Sequence, residues 1–283
     1  MAPPCQPVQT ALTSVGTFSH PGSRPIQLAG KSVLVTGGTR GLGRELAMAL
    51  AADGADVAVL GRDLAGGDAV AAAISAQGRR GLAVAADVTD GDAIDAAVAT
   101  VLAQFGQIDI LVCNAGVGTP RRPIWETTAA DWRHCFEVNV LGVMMAIKAV
   151  APHMTARRSG RIVAIGGTYG HKGVAGNAVY ASSKWALRGL IKSTALELGP
   201  FGVNANVIAP GGVDGERLRK LFRDTAVTNG EREEDVLARF TAGTALNRLG
   251  TAEDVATMLL HVVGPAGRNI TGQDLIVDAG TIV

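Results

Sequence analysis

The chain has 283 residues, 47% of them hydrophobic and 18% charged, which is enough apolar material for a sizeable core in one large α/β domain or two small ones. A formal net charge of +1 with only 4% aromatic residues leaves no basic stripe interleaved with aromatics, so nucleic-acid binding is not expected. Apolar runs such as Val138 to Ile147 are interrupted by Asn139 and too short to cross a bilayer, so no membrane helix is expected.

Residues 1–27 carry Pro3, Pro4, Pro7, Pro21 and Pro25 among small polar residues, without the basic start and continuous apolar stretch of a secretory signal, and read as a flexible arm. Cys5, Cys113 and Cys135 are an odd set with no C-x-x-C spacing, which suits a reducing cytoplasm. His20, His134, His153, His171 and His261 lack ligand spacing, so no metal site is expected.

From residue 28 to residue 283 the pattern is that of a single domain. Val33 to Val35, Val57 to Leu60, Leu82 to Ala85, Ile108 to Cys113, Arg161 to Ile165, Val203 to Ile208 and Leu275 to Val277 are short, β-branched and nearly all apolar, as strands buried on both faces are. Helices are predicted between them near 42–53, 66–77, 90–105, 129–156, 178–199 and 251–262, the last opened by the capping box Thr251 to Asp254. Seven strands joined by helical crossovers predict an α/β fold with a doubly wound parallel sheet. One section departs from this rhythm. Between Asp214 and Phe240, Leu218, Leu221 and Phe222, then Val236, Leu237 and Phe240, mark two short amphipathic helices around Asn229-Gly230. They form either a lid over a ligand at the sheet's carboxyl edge or a solvated hairpin covering that edge.

The turn Thr36-Gly37-Gly38-Thr39-Arg40-Gly41-Leu42-Gly43 joins the first strand to the first helix. Gly37 and Gly41 allow a tight turn and close approach to phosphate oxygens, Gly43 allows close helix–strand packing, and the helix N-terminus offers free N–H groups and a positive dipole end. Far downstream, Tyr180 and Lys184 are four apart in a predicted helix and share a face, where an ammonium favours the phenolate over the phenol.

With these motifs the chain resembles the short-chain dehydrogenase/reductase family from about Lys31 to Val283. Thr36 to Gly43 matches its cofactor turn, Asp87-Val88 its adenine-contacting pair, and Asn114-Ala115-Gly116 most of its N-N-A-G segment. Asn139 matches its helix asparagine, Tyr180 and Lys184 its Y-x-x-x-K pair, and Pro210-Gly211 its loop after the sixth strand. The resemblance implies a Rossmann-type fold and hydride transfer between a nicotinamide and a small organic substrate. It implies that Tyr180 exchanges the proton, that Lys184 holds the nicotinamide ribose and lowers the tyrosine pKa, and that Asn139 holds a water linking the lysine to solvent. It also implies a homotetramer or homodimer.

Where NAD-preferring relatives carry an acidic residue after the second strand this chain has Gly61, followed by Arg62, and Arg40 lies where relatives contact a 2′-phosphate. Two guanidiniums favour NADP(H) over NAD(H), which stays possible through Asp63. Three departures stand out. Gly167 occupies the usual place of the catalytic serine, and Thr168 beside it is the candidate substitute, with Tyr169 and His171 as alternatives. Cys113 replaces the first asparagine of N-N-A-G, as a packed thiol rather than a nucleophile. Gly215 stands where relatives have a nicotinamide-contacting threonine, leaving Val213 to offer a backbone group. The competing reading is a protein of the same fold that binds the cofactor as a sensor or scaffold without turnover.

Overall fold

The computed structural model describes residues 27–283, so the proline-rich arm lies outside the described residues except for Gln27. Seven parallel strands form one sheet: β1 (Ser32–Thr36), β2 (Asp56–Gly61), β3 (Gly81–Ala85), β4 (Ile110–Cys113), β5 (Gly160–Ile165), β6 (Val203–Pro210) and β7 (Asp274–Val277), in the order β3-β2-β1-β4-β5-β6-β7. All seven predicted strands are present. The interior strands are buried along their length and only β3 and β7, at the edges, are partly open, as the near-continuous apolar runs require.

Successive side chains leave a strand on opposite faces, so each strand feeds two cores. Leu34, Leu60 and Leu111 join Val101, Met154 and Ile191 under α3 (Gly91–Phe105), α5 (Gly142–Arg157) and α6 (Ala178–Leu198). Val33, Val59 and Val112 join Leu46, Leu50 and Leu259 under α1 (Gly41–Ala52) and α9 (Ala252–Val263). The remaining crossover, α2 (Leu64–Ser75), starts two residues earlier than the periodicity suggests because Asp63 caps it, accepting from Gly66 N–H at 3.0 Å.

The helix predicted over 129–156 is continuous from Ala129 to Arg157 but changes its winding. It runs as α4 (Ala129–Phe136), one π-helical turn at Glu137–Leu141, then α5. At 29 residues it is long and apolar enough, by length and composition alone, to cross a bilayer, a test that the core helix of a globular domain also passes. Val143, Ala146, Val150 and Met154 bury its inner face against the sheet, so it is a core helix.

After β6 come α7 (Glu216–Asn229) and α8 (Glu233–Ala242). Phe222, Ala226 and Val236, with Leu218, Leu237 and Phe240 against them, give this pair a small core of its own, separate from both sheet faces.

His153, at the solvent side of α5, accepts the Ile108 N–H at Nε2 over 3.3 Å, which demands a neutral ring. Partial burial, with Arg157 nearby, holds its pKa below the ordinary histidine value. The unfolded chain therefore takes up a proton that the native state refuses, and stability falls as the pH drops below about 6.5. His153→Gln, which keeps an acceptor without the titration, is expected to flatten the decline of Tm between pH 7.5 and 5.5, read by circular dichroism.

Candidate active site at the carboxyl edge of the sheet

The strand order reverses between β1 and β4, where Thr36 stands beside Cys113, and a crevice opens beyond the carboxyl ends of strands at such a point. The glycine turn forms one wall. Gly37 has φ +63° and an added Cβ would stand 2.8 Å from Ala115 Cα, while a Cβ on Gly43 would overlap Gly37 O and the Asn114 amide. Both positions therefore need glycine for close packing. Asn114 ties the walls together: its Nδ2 donates to Gly37 O at 2.9 Å and to Thr36 O at 3.2 Å, and its N–H donates to Thr36 Oγ1 at 3.1 Å.

This crevice fits a dinucleotide phosphate. Helices α2, α3, α4 and α9 each begin with a side-chain cap and α7 and α8 with acidic residues in the first turn, whereas α1, like α6, has neither. The first N–H groups and positive dipole end of α1 face outward, and Gly41, at φ +54°, has open space where a Cβ would stand. Leu42 is partly buried against the α1 side of the core. Thr39 packs over Gly61, where a Cβ would stand 2.8 Å from Thr39 Cγ2, so a side chain at position 61 would require Thr39 to move. Asp63 is engaged in capping α2. Arg40 is exposed and pairs with no carboxylate among the described residues, while Arg62 lies 3.6 Å from Asp87. Asp87 also accepts from Thr89 N–H and Oγ1, and these bonds, with Arg62, hold its carboxyl below the usual range. Val88 packs its side chain into the core, against Gly142.

The second wall carries the titratable groups. Lys184 is 6% exposed and donates from Nζ to Ile165 O at the end of β5, over 3.0 Å. Its ammonium lies 5.6 Å from the centre of the Tyr180 ring, so the two predicted partners meet. Asn139 joins them from the π turn. Its Oδ1 accepts from Val117 N–H at 2.8 Å, and its Nδ2 reaches Val117 O at 3.0 Å, Ser183 Oγ at 3.1 Å and Cys135 Sγ at 3.3 Å. Gly116 lies between: a Cβ on it would stand 3.3 Å from Asn139 Oδ1 and 3.9 Å from Lys184 Nζ.

Gly167 follows β5, and a Cβ there would meet only Pro210 O, at 3.8 Å. Thr168 is buried and opens a 3-10 turn, Thr168–Gly170, pinned to α6 by Arg188, which donates to Gly170 O at 2.9 Å. The Tyr169 ring stands edge-on to Tyr180 with centroids 6.0 Å apart. Pro210 ends β6, and Gly211 N–H donates to Val277 O at 2.9 Å. Val213 pairs with Gly250 through its neighbours' backbone groups, Gly212 O and Asp214 N–H, so its own N–H and C=O are spared. Burial pushes the Cys113 thiol up to about 12 and raises Cys135 as well, which leaves both as packed thiols.

Three participants escaped the motif reading. Ser183 sits inside the Tyr180–Lys184 stretch, donates to Tyr180 O at 2.7 Å and receives the Asn139 amide, a role that only the tertiary contact reveals. Arg217, from the first turn of α7, places its guanidinium 5.9 Å from the Tyr180 ring centre, and Arg121 reaches the Tyr169 hydroxyl at 3.4 Å. Arg121 comes from an irregular loop and Arg217 from the start of α7, and neither has a fixed spacing to the other site residues.

The pattern of the short chain dehydrogenase family matches residues 31–226. A diacetyl reductase forming (S)-acetoin, from Staphylococcus aureus, is 39% identical over 251 residues, covering 88% of this chain and 97% of the relative. A short chain dehydrogenase from Burkholderia cenocepacia, solved in complex with NADP, superposes with a TM-score of 0.77 at 37% identity over 90% of this chain and 99% of that one. An NAD+-bound xylitol dehydrogenase gives 0.85 at 26% identity over 89% and 99%. The chain belongs to the short-chain dehydrogenase/reductase family, and is thus an oxidoreductase whose fold binds a nicotinamide cofactor.

Asn139→Ala strips the Val117 N–H and C=O of their partners in a buried setting. It is expected to lower the unfolding free energy by about 1–3 kcal/mol, measured by urea denaturation.

Proposed function

We propose that the protein is an NADP(H)-dependent oxidoreductase acting on a carbonyl or alcohol group of a small organic molecule, with Tyr180 as the proton donor or acceptor. The observation that carries this reading is the Lys184 ammonium, buried at the end of β5 and 5.6 Å from the Tyr180 ring. The cofactor supplies or receives the hydride when bound. The chain's own residues bind, orient and handle the proton. The uncapped start of α1, from Gly41 to Gly43, receives the pyrophosphate, Arg40 and Arg62 receive the 2′-phosphate, and Asp87 and Val88 border the adenine. Asn114, Ala115, Gly116, Pro210, Gly211 and the free backbone of Val213 border the nicotinamide half.

Lys184 holds the nicotinamide ribose and keeps its ammonium beside the Tyr180 ring. The side chain of Asn139 is committed to Val117, Ser183 and Cys135, so the water linking Lys184 to solvent falls to its backbone carbonyl. Thr168 replaces the missing serine hydroxyl beside Gly167 and steadies the substrate oxygen. The α7–α8 pair acts as a lid, since Arg217 already brings its first turn to Tyr180. Exposed Trp132, Trp185 and Leu196 on α4 and α6 support a homodimer or homotetramer, which sedimentation velocity resolves from a monomer.

In a spectrophotometric assay of NADPH consumption over a carbonyl panel, Tyr180→Phe is expected to lower kcat by about 10²-fold or more with NADPH still bound. Undiminished turnover in that variant removes the proton-transfer role. NADPH binding with no turnover of any carbonyl by the unmodified protein would favour the sensor or scaffold. Arg40→Ala and Arg62→Ala are each expected to weaken NADPH about tenfold, as charge-assisted contacts do, and to leave NADH unchanged in fluorescence titration. Thr168→Val is expected to lower kcat by about 10²-fold, the effect of losing one such donor.

A further inference from the structure

The lid carries six cations on α7, α8 and the turn between them, and five of them face a carboxylate. Arg219 pairs with Asp214, Lys220 with Asp224, Arg223 with Glu216, Arg232 with Asp235 and Arg239 with Glu231. Arg217 has no acidic partner among the described residues, and the nearest carboxylates in sequence, Asp214 and Glu216, are taken by Arg219 and Arg223. It also sits in the first turn of α7, where the helix dipole disfavours a cation by about 0.3–1 kcal/mol. Neither feature makes α7 more stable.

The side chain is instead directed into the site. Its guanidinium lies 5.9 Å from the Tyr180 ring centre and rests against Gly118 of the loop after β4, where a Cβ would stand 2.9 Å from its Nη2. Arg121 donates to the hydroxyl of Tyr169, the ring packed edge-on to Tyr180, at 3.4 Å and likewise has no acidic partner among the described residues. Two guanidiniums without counter-ions thus meet one aromatic pair, Arg217 at Tyr180 and Arg121 at Tyr169.

Resting on the proposed carbonyl chemistry, we infer that the substrate carries an anionic head group, a carboxylate or a phosphate ester, which Arg217 binds while Arg121 assists and the carbonyl faces Tyr180. A planar guanidinium matches either anion with two parallel hydrogen bonds, and both guanidiniums are exposed and so open to a ligand from solvent. The neutral ketones that many carbonyl reductions employ would leave both cations unanswered.

The test measures binding without turnover. Protein saturated with oxidised dinucleotide is titrated calorimetrically with 4-oxopentanoate, 5-oxohexanoate and their methyl esters, and with dihydroxyacetone phosphate against dihydroxyacetone. At least one anion is expected to bind about tenfold or more tightly than its neutral counterpart, a carboxylate or a phosphate preference telling the two head groups apart. Arg217→Ala is expected to reduce that ratio to about one with dinucleotide affinity unchanged, and Arg217→Lys to restore part of it.

Equal binding of every anion and its neutral counterpart overturns the inference. So does loss of dinucleotide affinity in Arg217→Ala, which would assign the arginine to the cofactor. Because the titration needs no hydride transfer, an anion preference that Arg217→Ala abolishes stands even if no carbonyl is turned over, in which case only the proposed reaction fails.

Discussion

One buried amide sets the register of the whole reaction site. Asn139 grips both backbone groups of Val117 on the loop after β4 and reaches Ser183 on α6, so strand loop, long helix and tyrosine helix meet at a single side chain. Asparagine is a poor helix former, and a π turn gives up the regular hydrogen-bond ladder. Both local penalties are offset because leaving the Val117 groups unpaired in the interior would be worse. Lys184 is held from the other direction by Ile165 O. The ammonium and the phenol ring of Tyr180 are therefore positioned by the sheet and by two helices rather than by one flexible loop.

The opposite wall works by what it leaves unsatisfied. Four helices close their first N–H groups with Asp or Thr side chains, whereas α1, which follows the glycine turn, has no side-chain cap and no acidic residue in its first turn. Two glycines there are forced by contact: Gly37 by the Ala115 backbone, and Gly43 by Gly37 O and Asn114. A third, Gly41, faces open space, so its positive φ, and not close packing, is what calls for glycine there. An uncapped, dipole-positive terminus beside exposed Arg40 is a poor arrangement for the empty protein and a good one for an anion.

Much of this was legible in the order of residues because the determinants are local. Seven apolar runs gave seven strands, and Thr251 to Asp254 gave the capped α9. The glycine turn and the Tyr180–Lys184 spacing named the two walls, and the structure brings them to one edge of the sheet. What escaped depends on long-range contact. The π turn leaves no compositional trace, since Glu137 to Leu141 reads as ordinary helix, although the length of the Ala129–Arg157 rod was legible. Ser183 lay inside a recognised motif yet showed its role only once Asn139 stood beside it. Arg217 looked like one more charge on a solvated face, and only the pairing of its neighbours sets it apart.

The departure at Gly167 and the isolation of Arg217 belong together physically. A serine hydroxyl at the end of β5 steadies a substrate oxygen by a short-range hydrogen bond, and its loss loosens the reacting group. A charged contact several bonds away restricts the same atom by fixing the molecule that carries it, and orientation of this kind lowers a barrier without touching the reacting centre. Arg217 stands next to the Tyr180 ring on a helix pair with its own small core, so the pair carries that contact as a unit. A site of the proposed kind would depend less on a hydroxyl in the strand and more on the identity of the far end of its substrate, and specificity would then reside in the α7–α8 pair.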